Sequence, residues 1–178
     1  MPSKIGRNLG LALFSASALA YSSHASGAES GNSESIGPWQ IEATYKADKF
    51  DRCAISREVD DEIVVTFVRD GDGLSLLLES PNWKLERGKQ YPVTLKVGPQ
   101  SFDKEVAAEA SSVSMPIEDD KFTAGLSSAN ALDIVAAGAT IHVPLDKSNV
   151  ALDRLERCME KNEQAVAANP FVAPARRP

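Results

Sequence analysis

Apolar and polar residues follow each other in short, regular patterns through the middle of the chain. Three of these patterns lie within residues 62–97 and predict strands, because their β-branched and aromatic residues favour the pleated backbone. The predicted strands are Glu62–Arg69, Leu74–Glu79 and Tyr91–Val97. Two Asp-Gly pairs at 70–73 separate the first two strands and predict a hairpin turn, since glycine supplies the positive φ that such turns need.

The segments on either side of this central stretch predict further strands. Alternation predicts strands over Trp39–Tyr45 and Phe50–Ser56 before it and over Thr140–Leu145 after it. Residues 103–114 contain helix-forming residues and also alternate with a period of two. In a chain with so many strands, we favour a strand there that pairs with 91–97.

Two helices are predicted in the last third of the chain. Apolar residues recur every three or four positions over Ala124–Ala137, and Gly138 fits the left-handed cap after a helix end. A second helix follows the capping residues 146–148 and runs to Gln164 with one apolar stripe. Together these elements predict a mainly β, α+β fold: an antiparallel β-sandwich or a curved sheet with two helices in the C-terminal third.

The two ends of the chain differ in composition from this domain. Residues 1–25 combine a short basic segment, an apolar run and small residues at the end, which predicts a secretory signal peptide. Residues 26–37 predict a disordered leader and residues 165–178 a disordered tail. A single β-rich domain is therefore expected over 38–164, with no apolar run in the mature chain long enough to span a membrane.

The chain has two cysteines, Cys53 and Cys158. In an exported chain, a small and even number of cysteines predicts a disulfide, and two separate reactive thiols are the alternative. The bridge would close a loop of about 100 residues, which contributes on the order of 4–5 kcal/mol in the chain-entropy model. With the signal peptide, the cysteines predict a periplasmic or secreted protein.

The charge of the chain argues against two classes of partner. It has 19 basic and 25 acidic residues, a formal net charge of −6. Cleavage after residue 25 would remove Lys4 and Arg7, which leaves 17 basic and 25 acidic residues and a net charge of −8. Nucleic acids and anionic membranes need a basic patch on the protein, and so we predict neither as a partner.

Few residues offer catalytic chemistry. His24 lies in the predicted signal segment, and His142 stands alone in a predicted strand. A catalytic triad or a zinc site needs a histidine with partner residues nearby. We therefore predict that the protein is not an enzyme, with no catalytic residues, no cofactor and no metal.

Two carboxylate patterns leave alternatives open. Asp70, Asp72 and Glu79 fall at three ligand positions of a calcium loop, although a valine occupies the first position and a hairpin turn is the simpler interpretation. The acidic turns at 60–62 and 118–120 offer carboxylates of the kind that a glycoside hydrolase places across a cleft. Solvated turns are the simpler interpretation of these as well.

The loop at 80–90 is the candidate contact surface. Trp83 lies in this loop beside Lys84, and Arg87 and Lys89 follow within a few residues. Loops carry many binding residues, and tryptophan and arginine are frequent at the energetic centre of protein interfaces. We therefore predict that these four residues contact a partner, with core packing as the alternative for the tryptophan.

The segment Thr140–Cys158 contains a strand, a Leu-x-x-Ser step, an Ala-Leu-x-x-Leu step and a cysteine. This pattern resembles the C-terminal ends of small periplasmic modules of Gram-negative bacteria, namely invasion-associated locus B-type proteins and type VI secretion accessory proteins. The resemblance implies a non-enzymatic β-domain of the envelope or exterior, and it carries over no functional residue.

These observations predict an exported, non-catalytic binding or interaction protein of the bacterial envelope. Its expected partner is an unknown envelope or secreted protein. The first alternative is an inhibitor of an exported hydrolase, in which a rigid, disulfide-tied β-domain presents a loop. The second is a cell-wall hydrolase that uses carboxylates from the acidic turns.

Overall fold

The structure is a computed structural model, and it describes residues 29–30, 33–47 and 49–168. Eleven strands, one 3-10 helix at Asp60–Glu62 and two α-helices lie in this part of the chain. In chain order they are β1 (Glu29–Ser30), β2 (Glu34–Ile36), β3 (Trp39–Lys46), β4 (Lys49–Val59), β5 (Ile63–Asp70), β6 (Gly73–Glu79), β7 (Gln90–Val97), β8 (Gln100–Ala107), β9 (Ser112–Ile117), α1 (Asp120–Ser128), β10 (Ala131–Ala136), β11 (Ala139–Pro144) and α2 (Ser148–Ala168).

The strands form two antiparallel sheets that pack over one hydrophobic core. The large sheet has the order β1-β3-β4-β5-β6-β9, with β2 also paired to β3, and the small sheet has the order β11-β10-β7-β8. Phe67 and Leu76 of the large sheet share one buried cluster with Leu95 and Ile134 of the small sheet. The predicted fold class, mainly β with two helices, is confirmed. The strand predicted over 103–114 is confirmed in its first part, since residues up to Ala107 lie in β8, which pairs with β7. Residues 112–114 instead belong to β9, which pairs with β6 in the large sheet.

The apolar pattern of the large sheet fixes its register. Ile41, Ile55, Phe67, Leu76 and Met115 lie opposite one another across five neighbouring strands, and all are buried. A shift of one residue in any of these strands would turn its apolar row to the opposite face of the sheet. Burial of this row therefore determines how the strands pair.

The predicted helix over Ala124–Ala137 is wrong in its bounds and its length. α1 covers Asp120–Ser128, and residues 131–136 form β10 instead. Asp119 starts the helix, because its carboxylate accepts hydrogen bonds from the backbone N–H groups two and three residues later, at 2.8 and 3.3 Å. The helix therefore begins earlier than the apolar periodicity indicates and ends before the segment that forms a strand.

The turn between β10 and β11 uses the glycine that the sequence assigns to a helix cap. Ala137 and Gly138 are the turn residues, with φ of 49° and 82°. Two successive positive φ angles are typical of a type I′ turn, which suits the twist of a hairpin. Gly138 thus takes the left-handed conformation as predicted, but it joins two strands rather than ending a helix.

The ends of the described chain differ from the predicted boundaries. β1 and β2 lie within 26–37, the predicted disordered leader, and both pair with β3. α2 continues to Ala168, beyond its predicted end at Gln164. The predicted signal peptide, 1–25, and residues 169–178 lie outside the described residues. Within the described part of the chain, no helix is long and apolar enough to cross a membrane.

The predicted disulfide is present. Cys53 of β4 and Cys158 of α2 are bonded, with 6.2 Å between their Cα atoms and 105 residues between them in the sequence. Ala151 and Leu155 on the same helix are fully buried, and the buried Ser148 hydroxyl donates to the Leu126 carbonyl of α1 at 2.6 Å. The disulfide and these contacts together hold α2 against the β3–β4 side of the large sheet and against α1.

One end of the sandwich is filled by α1. Phe122 and Leu126 are buried in the common core, and the Phe122 ring meets Phe102 of β8 edge-on, with 5.3 Å between ring centroids. Gly125 lies so close to β7 that an added Cβ would be 2.8 Å from a methyl carbon of Val97. This end is therefore closely packed, unlike the end that contains the turns at 60–62 and 137–138.

Candidate functional site

At the end of the sandwich opposite α1, the two sheets separate and leave a cleft of about 570 Å³. Its lining is mostly apolar and includes Ile63, Trp83, Leu85, Tyr91 and Ile141. These residues come from β5, from the crossover between β6 and β7, and from β7 and β11. Ligand pockets typically measure about 300–1,000 Å³ and have mainly hydrophobic and aromatic linings. The cleft therefore has the size and chemistry of a binding site.

Trp83 reaches the cleft because the crossover 80–89 bends across this end of the sandwich. Pro81 cannot continue a strand ladder, and the Ser80 N–H instead donates to Ser111 at 3.0 Å. The Leu85 N–H donates to the backbone of the β8–β9 connection at 2.9 Å. These bonds hold the crossover in place, and Trp83 is partly buried against the core. The structure thus places one predicted contact residue in the cleft wall.

The three basic residues predicted with Trp83 are not among the described residues that line the cleft. Arg87 forms an ion pair with Glu109 at 2.7 Å, and Lys89 forms one with Glu86 at 2.7 Å. The hydrogen bond to Glu86 and the charge of Glu86 raise the pKa of Lys89. Lys84 is exposed. Two of these residues therefore have acidic partners, and the Lys89 ammonium also lies 5.6 Å from the ring centroid of Tyr91, a residue of the cleft lining.

Three carboxylates lie at or next to the cleft. Asp60 lines it directly. Two further lining side chains are bound to carboxylates: Asn82 donates to Glu62 at 3.2 Å, and His142 pairs with Asp133 at 2.7 Å. We refer to Asp60, Glu62 and Asp133 as the acidic rim. No Lys or Arg is among the described residues of the lining, and the nearby Lys89 ammonium, 5.6 Å from the Tyr91 ring, is itself paired with Glu86. The three carboxylates therefore outnumber the nearby cations, and the field at this site favours positive charge. His142, predicted to stand alone, has a partner.

A polar cluster links β3 and β4 of the large sheet to the end of β11. Arg57 of β4 donates through one nitrogen to the Pro144 carbonyl and to the Asp146 carboxylate, the latter at 3.0 Å. Its guanidinium lies 5.3 Å from the ring centroid of Trp39, whose indole N–H donates to the Asp146 carbonyl at 2.9 Å. Trp39 is fully buried. The cluster ties β4 to the end of β11, and sequence spacing offers no signal for it, since its partners are almost ninety residues apart.

The three residues predicted as alternative calcium ligands do not lie together. Asp70 accepts a hydrogen bond from the Asp72 N–H at 2.9 Å within the β5–β6 turn. Glu79 is the last residue of β6, at the other end of that strand. Across the residues that the structure describes, no group of three or more His, Cys, Asp or Glu side chains is arranged to hold a metal ion.

The two acidic turns also lie apart. Residues 60–62 form the 3-10 helix beside the cleft. Residues 118–120 begin α1 at the opposite end of the sandwich, where the Asp119 carboxylate serves as the helix cap. A pair of hydrolytic carboxylates would have to face one another across about 5–10 Å. These two turns do not provide such a pair.

A second and more polar cleft lies between β3 and α2. Its volume is about 640 Å³, and Arg154, Arg157 and Lys161 are among its lining residues. Arg154 is paired with Glu34 at 2.7 Å. Basic and acidic side chains are mixed in this lining, so its electrostatics favour neither sign. The apolar cleft is the better candidate because its lining is mainly apolar and carboxylates outnumber cations around it.

Comparisons of the chain with protein-family models, with curated proteins and with solved structures found no match. The resemblance of its C-terminal segment to periplasmic modules therefore stays a prediction. Inference about function consequently starts from the cleft and its surroundings.

Proposed function

We propose that this chain is an exported, non-catalytic binding protein of the bacterial envelope that holds its partner in the apolar cleft. The observation that carries the proposal is the cleft itself, an opening of about 570 Å³ with Trp83 in its wall. Contiguous apolar surface that stays open to solvent usually marks an interaction site. The opposite end of the same sandwich is closed by α1, which shows that this fold is able to fill such a gap.

Export is supported by the covalent chemistry of the chain. Its two cysteines form a disulfide, a bond that persists in oxidising compartments such as the periplasm or the exterior. The predicted signal peptide at 1–25 points to the same compartments.

A binding role without catalysis is supported by the groups that face the cleft. Its lining contains one carboxylate, Asp60, among mainly apolar side chains. His142 is exposed and paired with Asp133, and the carboxylates of the two acidic turns lie at opposite ends of the sandwich. Among the described hydrogen bonds, none joins His142 to a hydroxyl of the lining, and the Ser80 hydroxyl instead accepts from the Asn82 N–H. This set favours binding over a nucleophile with a base, and the proposal includes no cofactor.

The alternative of a hydrolase inhibitor requires the loop at 80–90 to present its side chains to an enzyme. Arg87 and Lys89 instead have acidic partners within the same protein, and Trp83 packs against the core. These contacts favour a protein that binds its partner in the cleft over a protein that inserts this loop into the active site of an enzyme. A stoichiometric complex that abolishes the activity of an exported hydrolase would reverse this preference.

A crosslinking pull-down from a bacterial envelope extract tests the proposal. The full chain is exported, purified with its disulfide formed, and compared with Trp83→Ala by mass spectrometry of the captured proteins. Lys84→Ala is the matched control, because it removes an exposed side chain of the same loop that is outside the described lining. We expect one partner to be enriched by the wild-type and Lys84→Ala chains and lost with Trp83→Ala. Equal capture by all three chains would contradict a role for the cleft.

A further inference from the structure

We propose that the cleft captures an extended, apolar peptide segment with basic flanks, which a partner protein supplies and which adds as a strand to the free edge of β11. This inference deepens the proposed function and rests on it. It assigns the chemical class of the partner and the backbone groups that recognise it.

Within the described residues, no strand pairs with the outer edge of β11. Ala136 and Ala139 flank the two-residue turn and form a hydrogen-bonded pair, and such pairs alternate along an antiparallel ladder. Thr140 and His142 fall between the bonded positions, so their N–H and C=O groups point away from β10. β11 is the last strand of the small sheet among the described residues. Four backbone groups therefore face outward beside the cleft.

The free part of this edge ends where the cleft ends. Pro144 has no N–H, and its carbonyl accepts a hydrogen bond from Arg57. Natural edge strands are usually protected by lysines, bulges or covering loops. β11 has no lysine, and the Arg57 contact covers its last residue only. The unprotected portion is thus the portion from Ala139 to His142, all of which lines the cleft.

The cleft next to this edge supplies pockets for the side chains of an added strand. Ile141 lines the cleft together with Trp83 and Tyr91 and is partly buried against the core. When a peptide joins a sheet edge, its main chain supplies affinity and alternate side chains enter pockets to supply specificity. An edge with open backbone groups beside an apolar cleft meets both requirements.

Charge complementarity identifies the flanks of the peptide and argues against a second copy as the occupant. One carboxylate of the acidic rim, Asp60, lines the cleft, and the other two are bound to lining residues. No Lys or Arg is among the described lining residues. Basic residues beside the apolar segment would meet this rim, which speeds association and favours the correct partner. Two copies joined through β11 would instead bring two acidic rims together, on chains with a net charge of −6 each.

The test uses the full chain with its disulfide formed and a synthetic peptide of alternating Val and Thr with two Lys at each end. Binding is measured by calorimetry for wild type, Thr140→Pro and Thr140→Ala. Thr140→Pro removes one outward N–H without removing a bond to β10, and Thr140→Ala keeps that N–H. We expect Thr140→Pro to weaken binding about ten-fold, the factor that corresponds to roughly 1.4 kcal/mol and to one hydrogen bond. Thr140→Ala should bind like wild type.

A second measurement leaves the protein unchanged. Two N-methylated versions of the peptide are compared. In the first, methyl groups replace the backbone N–H hydrogens that would face β11. In the second, they replace the N–H hydrogens on the opposite edge of the peptide. Only methylation of the facing edge should abolish binding. Amide hydrogen exchange should slow at Thr140 and His142 when the unmodified peptide binds.

Three outcomes would overturn strand addition. The first is equal binding to both Thr140 variants with equal effects of the two methylation patterns, which would leave a cleft that binds without the β11 edge. The second is absence of peptide binding to the wild-type chain. The third is a concentration-dependent dimer that Thr140→Pro abolishes, which would assign the edge to a second copy. None of these outcomes determines the result of the Trp83→Ala capture experiment. The proposed function is therefore tested independently of strand addition.

Discussion

The two ends of the sandwich are built from the same strands and are finished in different ways. At one end, the connection from β9 to β10 contains α1, whose Phe122 and Leu126 fill the space between the sheets. At the other end, the crossover 80–89 covers the core only in part, and a cleft of about 570 Å³ remains. The strands thus provide a common core, and the connections determine which end is packed and which is open. We infer that stability depends mainly on the first end and binding on the second.

Truncation of Phe122 should produce the largest loss of stability. Phe122→Ala removes a fully buried ring from the packed end, and such truncations cost about 3–5 kcal/mol. Urea denaturation of the purified chain measures the free energy of unfolding. Trp83→Ala at the open end is the comparison, and we expect it to cost less than half as much, because Trp83 is only partly buried. Equal losses at the two ends would contradict the difference in packing.

Removal of the disulfide should have the next largest effect. Replacing both Cys53 and Cys158 by alanine frees a loop of 105 residues in the unfolded chain, and loss of a native disulfide typically costs about 2–5 kcal/mol. Thermal and urea unfolding, compared with the oxidised wild type, provide the measurement. Partner binding at 25 °C should persist in the fraction that remains folded, because the bridge does not line the apolar cleft. An unchanged stability would show that the helix is held by its packing alone.

Gly125 tests how closely α1 fits. An alanine there would place its Cβ 2.8 Å from Val97, and inserting a methyl group into a packed core typically costs about 1–3 kcal/mol. Gly71→Ala is the matched control, since a Cβ at that position meets nothing within 4 Å and its φ is not positive. Denaturation curves should show a lower midpoint for Gly125→Ala only. A neutral Gly125→Ala would mean that α1 shifts without loss, and the packed end would then be looser than we describe.

The smallest effect is expected at the tip of the β10–β11 hairpin. Ala137 has φ of 49°, a left-handed conformation that costs a residue with a Cβ about 1 kcal/mol. Glycine's added freedom in the unfolded chain offsets about 0.5 kcal/mol of this strain. Ala137→Gly should therefore raise the free energy of unfolding by about 0.5 kcal/mol, as seen in the thermal midpoint. A decrease would indicate that the added freedom of glycine in the unfolded chain outweighs the relief of strain.

Most strands of this fold follow from local patterns in the sequence. Alternation of apolar residues predicts β3 and β7 within one residue at each end, and the Asp-Gly pairs predict the turn between β5 and β6. The helix prediction for 124–137 is wrong because the alanines and leucines of this segment fit both the helical period of about 3.6 residues and the strand period of two. Pairing with β7 and β11 on its two sides selects the strand, and such tertiary contacts override helix propensity.

The candidate site follows from the sequence only in part. The sequence predicts Trp83 as a contact residue because it lies in a loop after Pro81, and the structure places Trp83 in the cleft wall. Its basic neighbours are visible as well, but their pairing with Glu86 and Glu109 depends on the folded loop. The cleft itself arises where two sheets diverge, and the free edge of β11 depends on strand order. Neither property is encoded in any single stretch of residues.

The most direct test of the difference between the two ends is site-specific photocrosslinking in the living cell. A photoreactive benzoylphenylalanine replaces Trp83 at the open end in one chain and the exposed Lys121 of α1 at the packed end in another. Both chains are exported and irradiated, and their adducts are compared by mass and identified. We predict a discrete adduct from position 83 and none from position 121. Adducts from position 121 alone, or equally from both, would contradict the assignment of binding to the open end.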